Sequence, residues 1–180
     1  MAQDASLITR GRLPESINYL YNGTYYLEDV TFQKGNIFFN GIAYDNVYLN
    51  IDAYHQQVQV KEHPSAAAVV LFRDQIASLS MGGKTYVNLR YLGYPDAPEG
   101  FFEVVKDGPV VYLLQSRKII HVDTQRDMDV PNFFIPYVHY YKIADGQLDH
   151  LRIVIFHFRV FLKAVHKPVF AVDIQSRILA

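Results

Sequence analysis

The chain has no cysteine. That excludes disulfides, thiolate zinc sites, cysteine nucleophiles and a lipidated N-terminal Cys. It has no tryptophan either, so aromatic contact rests on 14 Tyr and 12 Phe. No charge of one sign dominates: 17 Lys and Arg stand against 18 Asp and Glu, a net charge of −1. Without a basic stripe there is no electrostatic grip for nucleic acid, and nothing to favour an anionic membrane surface. Long apolar runs are missing too. The longest runs from Ala66 to Phe72, far short of the ~20 residues a transmembrane helix needs.

Catalytic and cofactor signatures are equally sparse. The sequence contains no G-x-S-x-G, H-E-x-x-H, G-x-x-x-x-G-K or G-x-G-x-x-G, so no nucleophile elbow, zincin helix or phosphate loop is predicted. No catalytic residue and no cofactor-binding residue is assigned from sequence. The densest run of metal-ligand types is His121, Asp123, Asp127 and Asp129. It lacks the calcium-loop rhythm and late Glu of an EF-hand. It reads as a solvated acidic loop, and no metal site is assigned.

What is present describes a β protein. Half the residues are apolar and 19% are charged, which makes a single globular domain over 180 residues with a core that needs no staple. Asn22-Gly23, Asn40-Gly41, Gly82-Gly83, Asp107-Gly108 and Asp145-Gly146 have the residues that tolerate positive φ in tight hairpins. Lys34-Gly35 and Asp45-Asn46 add two weaker turns, the second a turn or a bulge. Between these, Val47, Leu49 and Ile51 alternate with Tyr48, Asn50 and Asp52, and Val58 and Val60 alternate with Gln57 and Gln59. Strict period 2 predicts one buried face and one wet face. "AAAVVLF" (66–72) and "VVYLL" (110–114) are apolar on both faces and predict central or doubly covered strands.

The predicted fold is therefore mainly β. It is an antiparallel meander of about nine to eleven strands, as a curled sheet or partly open barrel, with one or two C-terminal helices. Residues 1–17 form an N-terminal extension, 18–154 the meander and 155–180 the helices. The helices are predicted from Phe158, Phe161, Leu162 and Val165 at i, i+3, i+4 and i+7, and from Pro168 at a helix start.

Two stretches interrupt the strands, "GYPDAPEG" (93–100) and "DTQRDMDVPNFFIP" (123–136). Long irregular loops are where binding concentrates. The sequence-predicted ligand or partner residues are accordingly Tyr94, Phe133, Phe134, Tyr137 and Tyr140. Cross-strand aromatic pairing explains the same residues.

Two hairpins carry a family resemblance: "FNGIAYDNVYLNID" (39–52) and "GFFEVVKDGPVVYLL" (100–114). In this order, across about 36–165, the chain resembles the uncharacterised, exported β-rich proteins of Bacteroidota. The resemblance implies the periplasm or another exported location, and a signal peptide already removed. The start "MAQDASLITRG" agrees, with a small Ala2 ahead of Gln3-Asp4 and no apolar leader. The family supplies no reaction and no site residue. The strongly apolar "IVIFHFRVFLKAVHKPVF" (153–170) departs from the more basic tail of the family.

Three functional expectations follow, in order. The first is a non-enzymatic envelope protein that binds a protein partner or supports an assembly. The second is a carrier of a hydrophobic small molecule such as a lipid in a half-barrel cavity. The third is a hydrolase with a dispersed site.

Overall fold

A computed structural model describes residues 8, 11–15, 21–122 and 132–151. The predicted C-terminal helices and most of the acidic loop (123–131) lie outside the described residues.

The described chain is mainly β: eleven strands in one open sheet, with a single 3-10 turn, Arg73–Gln75. The strands are β1 (Tyr21–Asn22), β2 (Gln33–Phe39), β3 (Ile42–Asp52), β4 (Gln57–Lys61), β5 (Val69–Val70), β6 (Ile76–Met81), β7 (Lys84–Val87), β8 (Phe102–Lys106), β9 (Val110–Val122), β10 (Asn132–Ala144) and β11 (Gln147–Leu151). They form two meanders rather than one. β2-β3-β4-β5 and β6-β7-β8-β9-β10-β11 each pair in sequence, and β6 joins them by pairing with β2. β1 is an exception to the antiparallel rule, pairing parallel with β10.

That join forces the sheet to curl. β5 and β6 stand four strand spacings apart, about 19 Å if the sheet were flat. Only six residue steps connect Val70 to Ile76, three of them in the 3-10 turn at about 2 Å each, which reach ~16 Å. The sheet therefore rolls, and Val58, Val60 and Leu71 pack in one core with Ile76, Leu79 and Met81. Ile8, from the N-terminal extension, is buried in that core, and Arg12 bridges Val70 on the β5 edge. A second core gathers Leu89, Ala97, Phe102, Leu113 and Tyr141. Phe101 and Phe102 are consecutive and point to opposite faces, so one anchors each core.

Three predicted turns are two-residue hairpins with both residues at positive φ: Asn40-Gly41, Gly82-Gly83 and Asp145-Gly146. Asp45-Asn46 is a bulge, two residues opposite Asn36. Other expectations need correction. Asn22-Gly23 makes no hairpin; Asn22 ends the parallel strand β1. Lys34-Gly35 is not a turn but lies inside β2. A Cβ on Gly35 would stand 1.9 Å from the Ser80 carbonyl oxygen, so this glycine serves the close approach of β2 and β6. "AAAVVLF" is no central strand either. Only Val69–Val70 form a strand, at the sheet edge.

The most instructive correction concerns the wet face of β3 and β4. Asn50, Asp52 and Gln59 are buried, because residues 24–32 cross over them. Leu27 donates its N–H to the Ile51 carbonyl at 2.8 Å, and Ala53 donates to the Tyr25 carbonyl at 2.9 Å. Asn50 Nδ2 donates to the carbonyls of Asp29 and Thr31, and the Tyr26 hydroxyl donates to Gln59 Oε1 at 2.7 Å. The polar alternation marks a hydrogen-bonded layer, since buried polar groups persist where they are satisfied.

Candidate functional site

The sequence-predicted binding residues do not form one patch. Phe133 and Tyr137 point to one face of β10, and Phe134 and Tyr140 to the other, as strand alternation requires. Phe134 is packed among Tyr21, Tyr25 and Tyr54, with ring centroids 5.3–6.3 Å away. Tyr140 stands six residues along, about 20 Å away, between Leu114 and Leu151. Tyr137 lies opposite Arg117 and edge-on to His139. Tyr94 belongs to the 93–100 loop and packs against the second core.

The chemistry gathers in two other places. The first is the connection between β3 and β4. Asp52, 2% exposed, accepts the N–H groups of Tyr54 and His55 on Oδ1, and His55 Nδ1 stands 2.7 Å from its Oδ2. His55 Nε2 then faces Glu15, 3.6 Å from Oε2. Lys118 reaches in from β9, donating to the carbonyls of Thr24, at 2.8 Å, and Tyr26. Burial holds the Lys118 ammonium below its ordinary pKa, partly offset by Asp52. Burial pushes the Tyr26 hydroxyl far up, with Tyr25 and Asp52 adding to it. A carboxylate that orients an imidazole is half of a hydrolytic triad. The Ser–His half stands elsewhere: His63 Nδ1 is 3.0 Å from Ser65 Oγ on an exposed turn. The two pairs flank β4, roughly 17 Å of strand, so they do not assemble.

The second place is a surface cleft of about 210 Å³ lined by Arg73, Asp74, Asn88, Arg90, Tyr91 and Glu99. Glu99 bridges both guanidinium groups, pairing with Arg73 and, at 2.9 Å, with Arg90. Arg90 Nε also donates to the Ala97 carbonyl at 2.7 Å. Asn88 Nδ2 donates to the Arg73 carbonyl at 2.8 Å. The loop is thus stapled by its own polar groups, with Leu89 and Ala97 buried beneath it. Tyr91 is 42% exposed, and the sequence neighbours Phe72 and Leu92 are 52% and 50% exposed.

The sequence pointed to the 93–100 loop but missed this cleft, because Arg73, Arg90 and Glu99 share no local motif. Asp52 and His55 sit at D-x-x-H spacing, a pattern too common to stand out. Among the described residues no group of three His, Cys, Asp or Glu is placed to hold a metal ion, and no helix is long and apolar enough to cross a membrane. Comparisons with family models, curated proteins and solved structures return no match to this chain.

Proposed function

We propose that the protein is a non-enzymatic component of the cell envelope that binds a protein partner through the Arg73–Glu99–Arg90 cleft and its apolar flanks. The observation that carries this reading is the exposure of Tyr91 in a cleft that it lines with two pre-positioned arginines. Tyr and Arg are the residue types that dominate interface energetics, and a rigid loop loses little entropy on binding. The exported location rests on the family resemblance of the two hairpins.

The carrier reading has less support. The roll of β2–β6 is filled by Val47, Leu49, Val58, Val60 and Ile76, all fully buried, and the cleft is too small for a lipid chain.

The test is capture of partners from envelope and cytosolic fractions of the source cell, with wild type, Tyr91→Ala and Arg73→Ala compared. A specific partner, captured from the envelope fraction and lost by about thirtyfold or more with Tyr91→Ala, supports the reading. Capture indifferent to both substitutions, or a solitary monomer under all conditions, overturns it. Lipid recovered in organic extracts of the purified protein would favour the carrier instead.

A further inference from the structure

Away from the cleft, β10 and β11 bring two histidines together. Tyr141 is directly opposite His150 in the register. His139, two residues before Tyr141, is therefore the diagonal neighbour of His150 on the same face. His139 Nδ1 and His150 Nε2 are 3.2 Å apart. Aromatic rings fix both imidazoles. Tyr137 meets His139 edge-on at 5.2 Å, and Tyr141 packs on His150 at 4.9 Å and on His139 at 6.4 Å while also meeting Phe102 in the second core. Five consecutive residue pairs hold the two strands in register, so the backbone itself places the two side chains side by side. His150 is exposed, which leaves a path from solvent.

The spacing has a chemical meaning. Two metal–nitrogen bonds of about 2.0–2.1 Å span ~2.9 Å at a right angle and ~3.4 Å at the tetrahedral angle. A separation of 3.2 Å lies between these, so one metal ion can sit beside the N–N line once it replaces the imidazole–imidazole hydrogen bond and both rings turn their lone pairs towards it. Imidazole pairs suit Cu²⁺, Ni²⁺ and Zn²⁺, whereas Mg²⁺ and Ca²⁺ require oxygen ligands. Nearby charge opposes a cation here in part, because Arg117 disfavours added positive charge at His139. Lys142 and Asp149 pair with each other at 3.3 Å, and Arg117 is the cation opposite Tyr137 on the same face.

We propose that His139 and His150 form a two-histidine chelate for a divalent transition-metal ion on the β10–β11 hairpin. Two protein ligands leave the remaining coordination positions open to water or to an external donor.

The test uses tag-free full chain titrated with Ni²⁺ and with Cu²⁺ by calorimetry, with His139→Ala, His150→Ala and the distant His63→Ala in parallel. The expected result is one equivalent bound by wild type and by His63→Ala, and affinity lowered about tenfold or more in either dyad variant, because the chelate is lost. The Cu²⁺ EPR spectrum should report nitrogen ligands in wild type and lose one in each dyad variant. Binding equally tight in His150→Ala, or no binding by wild type, overturns the proposal. His150 is exposed on a short strand, so that variant carries the test even where His139→Ala disturbs folding. The partner-capture experiment does not involve these residues, so the two readings fail separately.

Discussion

Asp52→Ala removes a carboxylate that is 2% exposed and accepts three hydrogen bonds. Two come from the backbone N–H groups of Tyr54 and His55, in the manner of a cap, and such a cap contributes about 1 kcal/mol. The third, from His55 at 2.7 Å, is to a charged acceptor and contributes about 1.5–3 kcal/mol. Alanine also leaves two backbone donors without their acceptor beneath residues 24–32. The sum is about 3 kcal/mol. For a domain of this size that corresponds to a fall in melting temperature of roughly 6–12 °C. Asp52→Asn keeps an oxygen for the two N–H groups and costs about 1 kcal/mol. Urea unfolding followed by far-UV circular dichroism measures both, with the midpoint shifting at constant slope. If alanine lies within about 1 kcal/mol of wild type, or asparagine costs as much as alanine, the carboxylate does not hold this turn and the reasoning fails.

Other consequences follow from burial and backbone geometry. Burial raises the hydroxyls of Tyr26 and Tyr86 far above their ordinary range, and that of Tyr141 in the same direction. Above about pH 10 the unfolded chain ionises these groups while the folded chain keeps them neutral. The stability they contribute is complete below that pH and is lost above it at about 1.4 kcal/mol per pH unit for each fully protected tyrosine. Absorbance at the phenolate band should show most tyrosines ionising first and these lagging until unfolding; a single titration step would contradict it. Gly100→Ala places a Cβ 2.0 Å from Gln56 Oε1 at a φ of +117° and should cost about 3 kcal/mol or more. Gly41→Ala, at a φ of +76° with open space around it, should cost only the left-handed backbone term of about 1–2 kcal/mol. Equal denaturation midpoints for the two would refute the crowding at Gly100. Phe102→Ala empties a fully buried site against Tyr141 and should cost about 3–5 kcal/mol in the same assay.

How far the sequence reveals the molecule can be judged at particular residues. Asn40-Gly41, Gly82-Gly83 and Asp145-Gly146 were legible because positive φ at two consecutive residues is a local demand, and local chemistry answers it. Gly35 misled because glycine also serves close strand approach, and that depends on Ser80, forty-five residues away. Asn50, Asp52 and Gln59 misled for a related reason. Alternation states that a face is polar, not that it is wet. The partners that make burial tolerable, Asp29, Thr31 and Tyr26, come from a segment with no strand pattern of its own. The candidate cleft is similar. The 93–100 loop announces itself by Pro and Gly, but Glu99 meets Arg73 because β6 and β7 pair and bring Asn88 against the residues just before β6.

The roll and the crossing layer explain why the richest polar chemistry lies at the end of β3. Where β3 leaves the roll, the β3–β4 turn must fit between residues 24–26 and the long strand β9. Lys118 contributes both of its groups there, the backbone N–H to the Ala53 carbonyl and Nζ to Thr24 and Tyr26. One turn further, Gln56 Nε2 donates to the carbonyls of Ala53 and Ser116, and Gln115 Nε2 donates to the Glu99 carbonyl. Gln115 Nε2 also meets Gln56 Oε1 at 3.4 Å, so hydrogen bonds run from Ala53, the residue after the buried Asp52, through Gln56 and Gln115 to the backbone that presents Glu99 at the surface cleft. Each group in it is costly to bury alone, and its neighbours satisfy all but the buried Gln115 Oε1, which has no hydrogen-bond partner among the described residues. A catalytic dyad needs its imidazole free to meet a nucleophile and a substrate. Here Asp52 is committed to the turn and His55 faces a carboxylate, so the polar seam is best understood as the support of the β3–β4 turn and of the backbone at Glu99, where the proposed binding cleft lies.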